Sequence, residues 1–246
     1  MITSISGYQF TSIADPVPIK ATLLHFCLLH QIKGTILLAN EGINIMLAGE
    51  AAAIDAFVLF LNEETPFKNI GFKYTESLAY PFKKCCIKIK KEIVTMGQPA
   101  LKMEKGQGTH LPPETLKQWF DEKKDFVLID TRNDYEYAMG TFEGAMHLDI
   151  HHFRDFPDKV AALDPTLKDQ EIVLVCTGGI RCEKAAPYMI EQGFKHIYQL
   201  DGGILMYFKN CQGAHYHGDC FVFDEREAVN INLEAVDDKG ESSKAA

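Results

Sequence analysis

The segment Val173-Leu-Val-Cys176-Thr-Gly-Gly-Ile-Arg181-Cys182-Glu-Lys-Ala ends an apolar run on a cysteine, follows it with two glycines, and then supplies an arginine. An apolar strand, a tight turn and a helix start are the elements this order predicts, and ligands of α/β sheets bind beyond the carboxyl ends of the strands. The backbone N–H groups from Thr177 to Cys182 then converge at a helix N-terminus as an anion cradle. The same field holds a thiolate, which lowers the pKa of Cys176 below its reference of about 8.5. Arg181 adds a positive charge, and Gly178 and Gly179 permit unusual backbone angles and close ligand approach. The expected chemistry is nucleophilic, with Cys176 and Arg181 as catalytic residues and Thr177, Gly178, Gly179 and Ile180 around the substrate. A cysteine ending a buried strand is also an ordinary small core residue, and the glycines, arginine and helix that follow decide against that reading.

Four residues separate Cys176 from Arg181, whereas tyrosine-phosphatase loops carry five and encircle a phosphate. The smaller cradle suits a persulfide or another compact group. Six further cysteines stand at 27, 85, 86, 182, 211 and 220. An odd total with no secretory signal at Met1 to Gly7 points to a reducing, cytoplasmic setting, and no run reaches the roughly 20 apolar residues of a membrane helix. Cys182 has two readings, a resolving thiol or a packing residue of the first helical turn. Cys211 and Cys220 flank His215 and His217 at spacings that match no familiar zinc pattern, so no metal is expected.

The net charge of −9 argues against non-specific nucleic-acid binding, yet the charge is uneven. Lys68 to Lys105 holds nine lysines against three glutamates, and Asp219 to the end holds eight acidic residues against three basic ones. Such a basic stretch on an acidic chain can hold a polyanion, and a solvated lysine-rich face explains it equally well.

The elements that must position the cysteine loop follow from periodicity. Residues 8–12 alternate as a strand, 19–32 have helical spacing, 35–39 and 45–48 are strands around an Asn40-Glu-Gly-Ile-Asn44 turn, 51–62 is a helix and 71–76 a strand. Strand, helix, strand, strand, helix, strand predicts a ferredoxin-like α+β domain over 1–95. Ile and Lys then alternate at 87–91, as in an exposed strand, and glycines and prolines mark a linker at 96–110. Residues 111–215 read as a second domain: a helix from Pro113, apolar strands at 126–130 and 171–176, a helix closed by Gly193, and a strand at 196–200. Strands apolar on both faces alternating with helices indicate a parallel sheet covered on both sides. Residues 216–246 form a C-terminal segment whose acidic tail, from Glu234, is expected to be disordered. The class is thus α/β, with an N-terminal α+β domain.

The cysteine loop resembles the rhodanese family, and Asp130-Thr-Arg132 through Gly144-Ala-Met-His147 resembles the rhodanese segment upstream of it. Asp130 and Arg132 read as a structural ion pair rather than substrate ligands. Gly34-Thr-Ile-Leu-Leu-Ala-Asn-Glu-Gly-Ile-Asn44 and Gly218-Asp-Cys-Phe-Val-Phe-Asp-Glu-Arg226 narrow the likeness: over residues 5 to 230 the chain resembles bacterial tRNA uridine hydroxylases. That resemblance implies oxygen-dependent formation of 5-hydroxyuridine at the wobble position, with tRNA as partner and dioxygen as co-substrate. No other cofactor and no oligomeric state is implied. Attack of the Cys176 thiolate on uracil C6 and reduction by a Cys176 persulfide both remain open as mechanisms. For RNA contact, Lys83, Lys84, Lys88, Lys90 and Lys91 are the candidate phosphate partners, with Tyr74, Tyr80 and Phe82 as stacking surfaces. Asn40, with Glu41 and Asn44, is expected to reach the cysteine loop, so that the N-terminal domain completes the pocket. The alternatives are a sulfurtransferase passing persulfide sulfur from Cys176 to an acceptor, and a binding module that uses the fold for recognition alone.

Overall fold

In the computed structural model of the chain, residues 1–98, 101 and 108–236 are described. The first part runs β1 (Ile2–Phe10), α1 (Pro16–Leu29), β2 (Lys33–Ala39), β3 (Gly42–Glu50), α2 (Ala51–Glu64), β4 (Lys73–Ser77) and β5 (Cys85–Ile89). The strands order as β4-β1-β3-β2-β5, which is the ferredoxin-like arrangement with one strand added beside β2. Alternation along β2 and β3 sends Ile36, Leu38, Ile43, Ile45 and Leu47 inward, where they meet Leu23 and Cys27 of α1 and Ile54, Phe57 and Leu61 of α2. The other sheet face has no helices of its own domain. The lysine-rich ribbon of the sequence is the added edge: β5 pairs in parallel with β2, Cys86 opposite Thr35 and Lys88 opposite Leu37.

The second part contains β6 (Thr109–Leu111), α3 (Pro113–Asp121), β7 (Val127–Asp130), α4 (Asp134–Met139), β8 (Gly140–Phe142), β9 (Met146–His147), α5 (Phe156–Ala161), β10 (Glu171–Val175), α6 (Ile180–Glu191), β11 (His196–Leu200) and α7 (Gly203–Cys211). Its parallel sheet runs β6-β11-β10-β7-β9. The uninterrupted apolar strands have a direct reason. Ile172 and Leu174 of β10 pack with Ala185, Ala186 and Met189 of α6 on one face. Val173 and Val175 pack with Leu116 of α3 and Ile204, Tyr207 and Phe208 of α7 on the other.

Two boundaries differ from the sequence reading. Thr109–Leu111, assigned above partly to a linker, is the edge strand β6 beside β11, and Met96 is buried in the core of the second domain. A three-residue strand carries too little periodicity to stand out. Residues 216–236 are also structured: β12 (Tyr216–Gly218) pairs with β8, and β13 (Cys220–Phe221) with β14 (Ala228–Val229). Ala235 bridges to Val229 and the Val236 amide donates to the Ala228 carbonyl, so the expected disordered tail does not begin at Glu234. Its remainder, 237–246, lies outside the described residues. No described helix is long and apolar enough to cross a membrane.

Candidate active site

β10 ends at Val175, and Cys176 follows at the carboxyl edge of the sheet with only 1% of its surface exposed. The turn reverses through Gly179, whose φ of +98° opens α6. The Gly179 amide lies 3.1 Å from the Cys176 sulfur, and the amides of Arg181 and Cys182 also donate to it. Burial alone pushes the Cys176 thiol upward. The Cys182 thiol, the Arg181 charge and the loop amides outweigh burial and bring it down to about 6. Cys182 is completely buried; burial and the neighbouring Cys176 hold its proton far above the usual thiol range. It packs in the core beneath the first turn of α6, as the second of the two readings has it, and its protonated thiol stabilises the neighbouring Cys176 sulfur.

The loop is clamped from behind by α7. The Ile204 amide donates to the Cys176 carbonyl at 3.0 Å and the Leu205 amide to the Thr177 carbonyl at 3.1 Å. A Cβ on Gly203 would sit 2.5 Å from the Cys176 carbonyl oxygen and 2.8 Å from the Gly179 nitrogen, which is why Asp201-Gly-Gly precedes that helix.

Arg181 is less free than its place in the motif implied. Its two terminal nitrogens donate to Glu136 at 2.9 and 2.8 Å, both side chains being almost fully buried. The pair is neutral overall, so Arg181 stabilises the sulfur at close range but offers no spare charge for substrate. Glu136 went unrecognised in the sequence, although Asn133-x-x-Glu136 is a capping pattern: Glu136 also accepts the Asn133 amide at 3.1 Å. Asp130 and Arg132 form a fully buried pair, and Arg132 also donates to the Gly140 carbonyl at 2.5 Å.

In front of the sulfur lies a cavity of about 390 Å³, within the roughly 300–1,000 Å³ of small-ligand sites. Its walls come from both domains. Cys176, Thr177, Gly178, Ile180 and Arg181 form the floor, while Tyr8, Asn44, Lys73, Phe82 and Lys90 face them from the bare side of the first sheet. Val222, Phe223, Asp224 and Arg226 close the rim from the C-terminal segment. Gly179 does not line the cavity but lies against the Tyr8 hydroxyl, 2.9 Å from where a Cβ would stand. Lys73 donates to the Gly178 carbonyl at 2.8 Å and Tyr8 to Glu183 at 3.1 Å. Lys184 of α6, nearly buried, pairs with Glu92 at 2.6 Å and Glu41 at 2.9 Å, joining the two domains beside the loop.

The N-terminal domain does close the pocket, though not through Asn40. That side chain donates to the carbonyls of Ile13 and Ala14 and stays out of the cavity, because it is used to tie down the segment between β1 and α1. Lys83 and Lys84 line an adjacent open groove with Lys88 and Phe223, and Phe82 is shared between groove and cavity. Lys83 is paired with Glu225 at 3.1 Å, which leaves Lys84 and Lys88 as the freer charges. Tyr8 and Lys73 had no motif to reveal them, since they meet the loop only through the packing of two domains; Glu183 lies inside the cysteine motif itself, but nothing local shows that it would hold Tyr8. Among the described residues no cluster of His, Cys, Asp and Glu is arranged to hold a metal; His215 instead pairs with Asp121 and Glu143, and Cys220 lies beside Arg132.

Comparison with known proteins agrees with this division. Residues 2–93 match the model of the UPF0176 acylphosphatase-like domain and residues 112–209 that of the rhodanese-like domain. A tRNA uridine(34) hydroxylase of Cupriavidus necator is 46% identical over 243 residues, 97% of this chain and 86% of the relative. One from Bordetella pertussis is 44% identical over 237 residues, covering 94% and 97%. The chain belongs to the tRNA uridine(34) hydroxylase family. Among solved structures, the rhodanese-like domain of an Anabaena protein is 22% identical with a TM-score of 0.38, covering 44% of this chain and 78% of that one. A rhodanese-like domain protein of Staphylococcus aureus is 26% identical with a TM-score of 0.34, covering 40% and 90%. The family membership places Cys176, its amide cradle and the interdomain cavity in a hydroxylase.

Proposed function

We infer that the protein hydroxylates the wobble uridine of tRNA to 5-hydroxyuridine in the cytoplasm, with dioxygen as co-substrate and Cys176 as nucleophile. The observation that carries this reading is the pairing of a stabilised thiolate with a cavity that opens onto a lysine-lined groove. The sulfur adds to uracil C6, forming a C–S bond and moving an electron pair to C5 as an enolate. Dioxygen takes up that pair as the C5–O bond forms, and the peroxide is protonated. Two electrons from a thiol-class donor reduce it, and the outer oxygen leaves as water. Loss of the C5 proton with cleavage of the C6–S bond then restores the ring and releases the thiolate. The loop supports addition because its amides already point at the sulfur and stabilise it as a leaving group on the return step. Lys84 and Lys88 hold the flanking phosphates, and Phe82, at the junction of cavity and groove, stacks on a neighbouring base.

Incubation of the purified protein with undermodified tRNA, a thiol reductant and air, followed by nucleoside mass analysis, tests this. Oxygen-dependent 5-hydroxyuridine is expected from the wild type and none from Cys176→Ser. Sulfur transfer from thiosulfate with no mass gain on tRNA would replace hydroxylation by sulfur carriage.

A further inference from the structure

Tyr8 and Lys73 stand side by side on the cavity wall opposite Cys176, and neither has a role in the chemistry above. They come from adjacent antiparallel strands: Lys73 pairs with Ser6, and Tyr8 lies two residues along β1 on the same face. The Lys73 ammonium is 5.7 Å from the centre of the Tyr8 ring. Their hydrogen-bond polarities are fixed by what already holds them. The Tyr8 hydroxyl is 3.1 Å from Glu183, and an ionised carboxylate only accepts, so the hydroxyl proton is committed there. The hydroxyl therefore presents lone pairs alone to a ligand. Burial, reinforced by Glu183, raises its pKa, so this polarity persists across the working pH range. Lys73 is the reverse. One N–H goes to the Gly178 carbonyl at 2.8 Å, and in the ammonium form its other two are donors only; burial lowers its pKa, against which the charges of Cys176, Asp201 and Glu183 favour the ammonium. Among the described residues no carboxylate lies at ion-pair distance from it.

An acceptor beside a donor, both on the wall facing the nucleophile, is the complement of the N3–O4 edge of a uracil ring. We propose that the Tyr8 oxygen accepts uracil N3–H while Lys73 donates to the adjacent ring carbonyl O4, and that together they select uracil over cytosine at the base Cys176 attacks. The inference rests on the wobble-uridine reading and adds what determines its base. Cytosine fails at both points: its N3 lone pair meets the Tyr8 lone pairs, and its amino group meets the Lys73 ammonium. Lys73 gains a second use, since its hold on the Gly178 carbonyl ties the base reader to the nucleophile's own loop.

The test uses two anticodon stem-loops that differ only in carrying uridine or cytidine at the wobble position. Their affinities are measured without oxygen, and hydroxylation of the uridine form is measured in air. The wild type is expected to favour the uridine form by about tenfold or more, the scale of a base-edge contact. Tyr8→Phe and Lys73→Met each shrink that preference severalfold; in Tyr8→Phe the ultraviolet titration of the Cys176 thiolate keeps its midpoint, whereas in Lys73→Met that midpoint also rises, because a positive charge near the sulfur is lost. Glu183→Gln shrinks it too with Tyr8 intact, because an amide can donate to the hydroxyl and turn its proton outward. Equal wild-type affinity for both stem-loops, or an undiminished preference in Tyr8→Phe and Lys73→Met, overturns the proposal even if hydroxylation proceeds. Absence of hydroxylation of the uridine form by the wild type overturns the underlying function, and the base reader with it.

Discussion

Cys176 owes its reactivity to the donors around its sulfur, not to exposure. A thiol this buried is normally pushed toward its neutral form. Here the Cys182 thiol, Arg181 and the loop amides reverse the sign and leave it at about 6. Because the shift is downward, the thiolate forms as pH rises through that value and is lost below it. The ultraviolet difference titration between wild type and Cys176→Ser should therefore show a midpoint near 6, with activity falling on the acid side; a midpoint at an ordinary thiol value would refute the cradle. Glu136 matters in a different way. Removing its charge strands a buried guanidinium, so Glu136→Gln should lower stability by roughly 3–5 kcal/mol in urea unfolding. The structure of the cysteine loop was legible because its whole setting is local: strand end, glycines and helix start lie within ten residues. Glu136, Tyr8 and Lys73 were not, since 40, 168 and 103 residues of chain respectively separate them from the cysteine they serve.

The decisive element is the junction of β10 with α6, backed by the start of α7. Gly203 has a φ of +67°, a left-handed conformation that favours glycine, and backbone atoms of the cysteine loop fill the space a side chain needs. Gly203→Ala should cost roughly 1–3 kcal/mol in stability and reduce turnover more than tRNA binding, because it pushes the loop and not the groove. Steady-state kinetics with a split of kcat from KM checks the second half of that statement. Elements with strong patterns were readable: the order of the first domain's strands and helices follows from alternation and helical spacing, and the two-faced strands β7 and β10 from unbroken apolar runs. The short pieces were not. β6, β8 and β12 have three residues each, and their pairing is decided by neighbours rather than by their own pattern.

At the scale of the molecule, the catalytic cavity exists only because the bare face of the first sheet is set against the cysteine edge of the second. Lys184 holds the two together from inside the interface. Its loss leaves Glu41 and Glu92 facing each other without a counter-charge, so Lys184→Met should lower stability by roughly 3–5 kcal/mol and depress activity although Lys184 lies outside the cavity lining. Urea unfolding alongside turnover checks both. Sequence foresaw that the N-terminal domain would complete the pocket through Asn40, Glu41 and Asn44; Asn44 does line it, whereas Asn40 does not. A polar turn residue shows its capacity for hydrogen bonds, not their direction, and this one is spent on the carbonyls of Ile13 and Ala14. That Cys176 activates the wobble uridine for attack by dioxygen is best checked with heavy-isotope dioxygen and undermodified tRNA. Heavy oxygen is expected in the 5-hydroxyuridine made by the wild type, and no product from Cys176→Ser. Product from Cys176→Ser at the wild-type rate, or oxygen drawn from water, would contradict it.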